Sequence, residues 1–428
     1  MFLAHQLNLF PAPRPQHGRD RGYAWVVVFA SLWLMAMGTG GTYVVVVGLK
    51  PIAAEFDWPR TIPSSAYALA MMGMGIGGIA MGRWADRVGV ARPALLGTFG
   101  VVLGALIGAG TGSQWTLWAA NGIFLGLLGN AALFAPLVAN VTRWFEVRRG
   151  LAVAIASAGQ SLGGAAWPPV HRFIIEHYGW RDAYVFYAIV ALITMLPCVY
   201  WVRIRPPSDD GPAPGPRNAT TSVRSGQSLR WSPNGVQVVL CLAIVGCCVA
   251  MSMPMVHIVA HGTDLGFSPA RAAELLSILL GFAIISRLIW GMLSDRIGGL
   301  KTLLFGSACQ AVMLAAFLFV DSLWALYLTC AFYGLAYGGI VPTYAVIIRE
   351  HLPLKQSGWR MGLVFLFGTI GMSLGGLLGG VVYDLTGSYR DGFLLGVAFN
   401  IANLVLIIPL VLRERWMFRA TALMPARP

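Results

Sequence analysis

Between Pro93 and Thr142 there is not one Lys, Arg, Asp or Glu. In hydrocarbon every backbone N–H and C=O must find its partner inside its own segment, so such a run folds as helix. It is long enough for two crossings of about 20 residues each with a turn between them. The rest of the chain follows suit: 57% of its 428 residues are hydrophobic and only 11% are charged. This is the composition of a polytopic membrane protein. Apolar stretches separated by charge, Gly and Pro clusters predict twelve helices. They span 23–48, 61–82, 93–112, 115–141, 150–172 and 182–203, then 234–260, 270–293, 301–320, 322–348, 359–383 and 391–412. The start, Met1 to Phe10, has no Lys or Arg and runs into Pro11, Pro13 and Pro15, unlike a secretory signal.

Charge sets the expected orientation. With both termini inside, 23 of the 30 Lys and Arg fall in cytoplasmic loops and tails. Six fall outside (Lys50, Arg60, Arg172, Arg181, Arg271, Arg390), and Arg287 is left within a helix. Basic residues flanking helices on one side mark the cytoplasmic side, so both termini are expected to be cytoplasmic; the expected location is the cell (cytoplasmic, or inner) membrane. The same distribution accounts for the net charge of +13 and argues against a nucleic-acid partner. All six cysteines lie in predicted helices without paired or CxxC spacing, so they read as small packing residues, with no metal site or disulfide.

The chain repeats itself. Gly82-Arg-Trp-Ala-Asp86-Arg87-Val-Gly89 returns as Gly291-Met-Leu-Ser-Asp295-Arg296-Ile-Gly298, an offset of 209. Tyr178-Gly-Trp-Arg181-Asp182 returns as Gly387-Ser-Tyr-Arg390-Asp391, again at 209; Ser161-Leu-Gly-Gly164 returns as Ser373-Leu-Gly-Gly376 at 212. Pro59 and Pro269 are 210 apart. The expected fold is therefore an all-α membrane protein whose twelve transmembrane helices form two six-helix pseudo-symmetric halves. A tail over 1–22 leads to a bundle over 23–203, a linker over 204–232, a second bundle over 233–413 and a tail over 414–428. The linker carries Pro206, Pro207, Pro212, Pro214 and Pro216 among Gly, Ser and Arg, a composition that cannot bury a core.

Arg287 is the one Lys, Arg, Asp or Glu deep inside these segments. A centred arginine costs roughly 2.5 to 3.5 kcal/mol to insert, which an aqueous cavity and an anionic partner offset. Its planar guanidinium grips a carboxylate through two parallel hydrogen bonds. The competing reading is a side chain snorkelling towards the end of its helix, eight residues from Asp295. Tyr333 and Tyr337 lie one turn apart and share a face, where Tyr337 is a candidate hydrogen-bond donor to a bound anion. Asn130 and Gln160 are candidate cavity residues in the fourth and fifth segments. His257, after the break at Met253-Pro254, has the pKa range of a proton carrier but sits near the outer end of its segment, as a gate histidine would. Gly73, Gly75, Gly77 and Gly78, and Gly371, Gly375, Gly376, Gly379 and Gly380, form small-residue faces for close helix packing. Pro136 and Pro342 are placed to kink the fourth and tenth segments.

The duplicated Gly-x-x-x-Asp-Arg-x-Gly loop resembles the signature of the major facilitator superfamily, which implies the major facilitator fold and transport by alternating access. In that comparison Asp86, Arg87, Asp295 and Arg296, with Arg148 and Arg149, form a conformational latch. Val90 stands where a basic residue is common, which weakens the first copy. Two further segments are similar to the monocarboxylate transporter family: Asp20-Arg-Gly22-Tyr-Ala-Trp25, and Arg143-Trp144-Phe145-Glu-Val-Arg148-Arg149-Gly-Leu151-Ala152. His257-Ile-Val-Ala-His261-Gly-Thr-Asp264-Leu-Gly266 resembles a run in that family's bacterial-type members. The resemblance implies that Arg287 binds a substrate carboxylate. It also implies two departures: Ala283 replaces the aspartate that animal proton-coupled members carry one turn earlier, and Tyr43 stands where they carry a lysine. Lys50 lies instead at the outer end, and 361–383 has no Lys or Arg. One buried cation matches one anionic charge, so a small organic anion such as lactate or pyruvate is expected, with proton-coupled symport as the family habit and protons as co-substrate. An organic-anion exchanger of the oxalate/formate type and a multidrug efflux carrier are the alternatives. An enzyme would need clustered His, Asp or Glu within the helices, and none occurs in the sequence pattern. No cofactor is expected, and the chain is expected to work as a monomer in the lipid bilayer.

Overall fold

A computed structural model describes residues 22–145, 149–204, 232–352 and 357–422. Twelve long helical elements run up and down the bundle. They are α1 (Gly22–Val47), α2 (Thr61–Val88), α3 (Ala91–Ala109), α4 (Gln114–Trp118 continuing through Ala119–Asn130, Ala131–Leu133 and Ala135–Trp144), α5 (Arg149–Tyr178) and α6 (Trp180–Val202). The second six are α7 (Pro233–Asp264), α8 (Pro269–Ile297), α9 (Gly299–Ala316), α10 (Leu323–Tyr337 and Ile340–His351), α11 (Ser357–Thr386) and α12 (Tyr389–Ala422). The linker over 205–231 and the tail residues 1–21 and 423–428 lie outside the described residues. We call the side holding the start of α1 and the ends of the linker the terminal face, and the other the opposite face.

Among the described residues, eleven helices are long and apolar enough to cross a membrane. The twelfth of the expected set, α5, has 30 residues but carries Gln160, Pro168, Pro169, His171, Arg172 and Glu176. Arg172 pairs with Glu176 at 3.1 Å, and His171 Nε2 lies 3.0 Å from the Gly40 carbonyl oxygen of α1. A Cβ at Gly159 or Gly163 would stand 2.1 Å from the Leu32 carbonyl oxygen and 2.3 Å from that of Ala36, so α5 lies backbone to backbone on α1. Large apolar side chains such as Phe29, Phe99, Ile193, Val312 and Val405 face outward, as they do where the surroundings are lipid. Trp115 and Trp324, 209 apart, are exposed at the opposite-face ends of α4 and α10, the place of an interfacial aromatic belt.

The sequence repeat is a structural repeat. α2 and α8 end at Gly89 and Gly298, both with φ of 86°. Each closes its helix by an N–H donated four residues back, to Ala85 and Ser294. That left-handed backbone is what a glycine permits at a helix end. The α1·α5 contact recurs as α7·α11: a Cβ at Gly371 or Gly375 would meet the carbonyl oxygens of Val245 at 2.7 Å and Val249 at 2.4 Å. The halves then dock through two interfaces the repeat makes equivalent, α2 against α11 and α8 against α5. In the first, Ser373 Oγ donates to the Ala68 carbonyl at 2.8 Å.

α4 and α10 are broken where their prolines dictate. Pro342 has no N–H for the Gly338 carbonyl, and α10 is interrupted at Gly338–Gly339. Pro136 does the same at Phe134, where φ is −110° and ψ −77°. The Ala119–Asn130 portion of α4 is wound as π-helix, packed on α2 at Gly122 and Gly126. That crossing makes a sharp prediction. A Cβ at Gly73 would lie 2.2 Å from the Gly122 carbonyl oxygen, whereas one at Gly78 meets nothing within 4 Å. Gly73→Ala should lower stability by about 1–3 kcal/mol, the usual scale of overpacking, since backbone cannot step aside. Gly78→Ala should be neutral or slightly stabilising. Thermal melting of the two purified variants in detergent checks both.

Candidate substrate-binding site

Arg287 sits on α8 where that helix crosses between α5 and the break in α10. The break leaves the Leu335 carbonyl without its helical partner. Ser286 Oγ and Trp290 Nε1 each donate to that carbonyl at 2.7 Å, fastening α8 to α10. Arg287, next in sequence to Ser286, is turned about 100° away from that face, towards α5. Its Nη1 donates to the Ser157 carbonyl at 2.9 Å, a bond between the two halves. Its Nε is buried with no hydrogen-bond partner. Among the described residues no carboxylate lies within ion-pair distance of it. A guanidinium has five N–H donors, and among the described residues this one spends a single donor.

A chain of three tyrosines leads away from the same place, beginning at Tyr337. Tyr337 on α10, Tyr43 on α1 and Tyr67 on α2 are 6%, 4% and 3% exposed. Tyr337 lies within electrostatic range of Arg287 and of Tyr43, and Tyr67 within range of Tyr43 and Tyr337. Their hydroxyls have no hydrogen-bond partner among the described residues, and none of the three is a fully enclosed orphan. The rings rest on glycines: a Cβ on Gly164 would be 3.0 Å from the Tyr43 ring, and one on Gly376 would be 2.7 Å from that of Tyr67. Tyr67 was not singled out from sequence, because a lone tyrosine in an apolar helix carries no pattern of its own; its neighbours Ser64 and Ser65 were the only polar hint.

Other candidates fall into different surroundings. Tyr333 shares a face with Tyr337, ring centroids 5.3 Å apart. Its hydroxyl donates to the Ala250 carbonyl at 2.9 Å and accepts from Gln310 at 3.4 Å, so it belongs to the polar interior of the second half. Gln160 is half-buried one turn beyond Ser157, on the α5 face that continues to Gly164. Asn130 is 4% exposed, its Oδ1 2.9 Å from where a Cβ on Gly38 would stand. His257 is fully buried, its Nε2 2.9 Å from the Gly376 carbonyl oxygen and its ring stacked on Tyr389 at 5.1 Å. Ala283, one turn before Arg287, is 1% exposed with its backbone against Gly338, so an acid introduced there would be enclosed between α8 and α10. Of the expected latch, Arg87 and Arg296 are exposed. The side chains of Asp86, Asp295 and Arg149, and all of Arg148, lie outside the described residues.

Sequence reading missed a seal at the opposite face. Arg60 donates from Nη1 to Asp264 Oδ2 at 2.6 Å and from Nη2 to Oδ1 at 3.1 Å, a two-point grip across the halves. Lys50 joins the same carboxylate at 2.7 Å. The Arg60 guanidinium lies 3.7 Å over the Tyr383 ring and donates to the Tyr389 hydroxyl at 3.1 Å. Burial alone would lower its pKa, but the Asp264 hydrogen bonds and the neighbouring Tyr389 leave it raised, so the charge is kept. Asp384 of α11 accepts the backbone N–H groups of Arg60 and Thr61 at 2.9 and 2.8 Å, capping the start of α2 from the other half.

With that geometry in place, comparison with known proteins is decisive for the family. The model of the Major Facilitator Superfamily matches residues 28–255 and 238–423. The chain belongs to the Major Facilitator Superfamily. It is a multi-pass membrane transporter and not an enzyme. Among curated proteins it is similar to monocarboxylate transporter 13 of Bos taurus, 28% identical over 401 residues that cover 91% of this chain and 90% of that one. It is also similar to human monocarboxylate transporter 11, 27% identical over 400 residues covering 90% and 82%. The MFS transporter asaE of Aspergillus flavus is 27% identical over 86% of this chain and 80% of its own. Among solved structures, a bacterial homolog of the human lysosomal transporter Spinster superposes with a TM-score of 0.65 at 14% identity, covering 95% of this chain and 98% of that one. That likeness carries the fold.

Proposed function

We propose that this transporter carries a small monocarboxylate of the lactate or pyruvate kind, held by Arg287 between the halves and exchanged across the membrane by alternating access. The observation that supports this most is the state of Arg287: among the described residues it makes one hydrogen bond, to the Ser157 carbonyl, its buried Nε has no partner, and the neighbouring Tyr337 hydroxyl has none either. A carboxylate supplies the missing acceptors and the missing charge together. Because the bond to Ser157 spans the halves, a ligand bound there also influences how they dock.

In the orientation expected from the basic residues, the opposite face is extracellular. The Arg60–Asp264–Asp384 seal then closes the outside. Proton-coupled symport remains our reading of the coupling. With Ala283 in place of an acid, the proton takes a route other than an Asp–Arg pair on α8. Gln160 and Asn130 are assigned to the lining, and His257 to the seal.

Purified protein in liposomes should take up radiolabelled lactate saturably, with inhibition by other monocarboxylates and little by dicarboxylates. An inward proton gradient should accelerate uptake. Transport of amphipathic cations with no effect of lactate would favour the multidrug reading; gradient-independent exchange of preloaded anions would favour the exchanger.

A further inference from the structure

His257 on α7 stands where the seal of the opposite face meets the interior of the second half. It is fully buried, and its Nε2 lies 2.9 Å from the Gly376 carbonyl oxygen of α11. A carbonyl only accepts, so Nε2 carries a hydrogen. Nδ1 is enclosed and has no hydrogen-bond partner among the described residues. A hydrogen there would find no acceptor, so the ring sits neutral with the Nδ1 lone pair unused. The ring has little room to turn, since a Cβ on Gly379 of α11 would stand 2.3 Å from its Cδ2 and from its Nε2. A buried N–H without an acceptor is costly. A proton added at Nδ1 therefore favours an arrangement in which water reaches that atom.

What covers His257 is the seal. Its ring stacks on Tyr389 of α12, with centroids 5.1 Å apart and planes 27° apart. Tyr389 packs in turn on Tyr383, centroids 4.4 Å apart. The Arg60 guanidinium of the first half lies 3.7 Å from the Tyr383 centroid and 5.4 Å from that of Tyr389. When the halves part, His257, Gly376, Tyr383 and Tyr389 move with the second half and Arg60 leaves with α2. The charged groups facing the ring are Arg60 and Asp384, with His261 and Asp264 further along α7. Both carboxylates are engaged, Asp264 by Arg60 and Lys50, and Asp384 by the N–H groups of Arg60 and Thr61. Beyond His261, Asp321 and Arg390 pair with each other. A cation on His257 thus shares the Tyr389 ring with Arg60 and faces carboxylates already committed elsewhere. We propose that His257 is the proton-responsive group of the seal: a proton taken up from the opposite face adds to Nδ1, and the imidazolium favours the state in which α2 has left α11. No bond breaks; the Nε2–H keeps the Gly376 carbonyl and the new N–H donates to water. Acid on that face then holds the carrier open to it, which deepens the proton-coupling reading and is independent of which anion Arg287 holds.

The test reads conformation and needs no substrate. Spin labels on Ala54→Cys and Leu385→Cys, exposed on the opposite face of the two halves, are measured in the purified protein. Measurements at about pH 7.5 and about pH 5.5 lie one unit either side of the ordinary histidine value in water and well above the carboxylate range. For one histidine that takes its proton only in the open state, the ratio of long to short separation should rise about tenfold as pH falls across that window. His257→Gln does not titrate and should hold the ratio within about twofold, while His261→Gln should respond as the wild type does. His257→Phe, a ring that takes no proton, is the second variant, and melting curves show which proteins are folded. A ratio that pH leaves unchanged in the wild type overturns the proposal, as does a wild-type response in a folded His257 variant. A response lost in His261→Gln would overturn the assignment to His257. None of these outcomes bears on Arg287 and its anion, which the uptake measurements test.

Discussion

Replacing Arg287 by glutamine should reduce lactate uptake by at least a hundredfold while leaving the protein folded. Glutamine keeps two N–H donors on a shorter side chain but removes the charge and the fork that matches a carboxylate. Breaking one side of a buried charge pair costs about 3–5 kcal/mol, and each 1.4 kcal/mol is tenfold in binding, so a loss of two to three orders of magnitude follows. Folding should survive, since among the described residues Arg287 makes a single hydrogen bond and leaves Nε unpaired. Arg287→Lys is the finer probe. A lysine restores the charge without the planar fork, and should recover only part of the loss. Uptake kinetics with a melting curve for each variant check the pair of expectations. Full recovery in the lysine variant would mean that charge alone matters and that two-point recognition plays no part.

The second large effect concerns the seal. Gly380 lies where α11 meets α2 beside Arg60: a Cβ there would stand 2.5 Å from Ser64 Oγ, 2.8 Å from Ser64 Cβ and 3.2 Å from the Arg60 carbonyl oxygen. Gly380→Val should therefore prise the two helices apart at the opposite face. Overpacking of this kind costs about 1–3 kcal/mol. Paid only in the closed arrangement, it shifts the balance between states about 5- to 150-fold. Spin labels at Ala54 and Leu385, exposed residues of the two halves on that face, should report a longer separation in the variant, and transport should fall by about tenfold or more. An unchanged separation together with unchanged transport would show that the contact at Gly380 does not hold the seal.

What could be read from sequence, and what could not, divides along physical lines. Helices in a bilayer follow from local composition, and the twelve expected spans recur as α1 to α12 within a few residues, with α2, α5 and α12 continuing beyond their apolar stretches. The 209-residue repeat was visible in the glycines, and Gly89 and Gly298 share one backbone conformation because the same turn needs it. Arg287 stood out because an intramembrane charge is expensive. The seal did not: Arg60, Asp264 and Asp384 are more than 100 residues apart, each sits in a loop or at a helix end, and only the docking of the halves brings them together. Tyr333 and Tyr337 were equivalent by spacing. Their hydroxyls differ because Ala250 and Gln310 reach one and not the other. Gly73 and Gly78 looked alike too, yet one touches α4 backbone and the other faces open space. In each case periodicity located the face, and packing against a distant helix decided what the face does.

Equilibrium binding of lactate to the purified transporter, measured by calorimetry with the wild type and Arg287→Gln side by side, tests the central claim most directly. Saturable binding to the wild type that is lost in the variant, with both proteins melting alike, is the expected result. Equal affinity in the two proteins would contradict it and remove Arg287 from the substrate site.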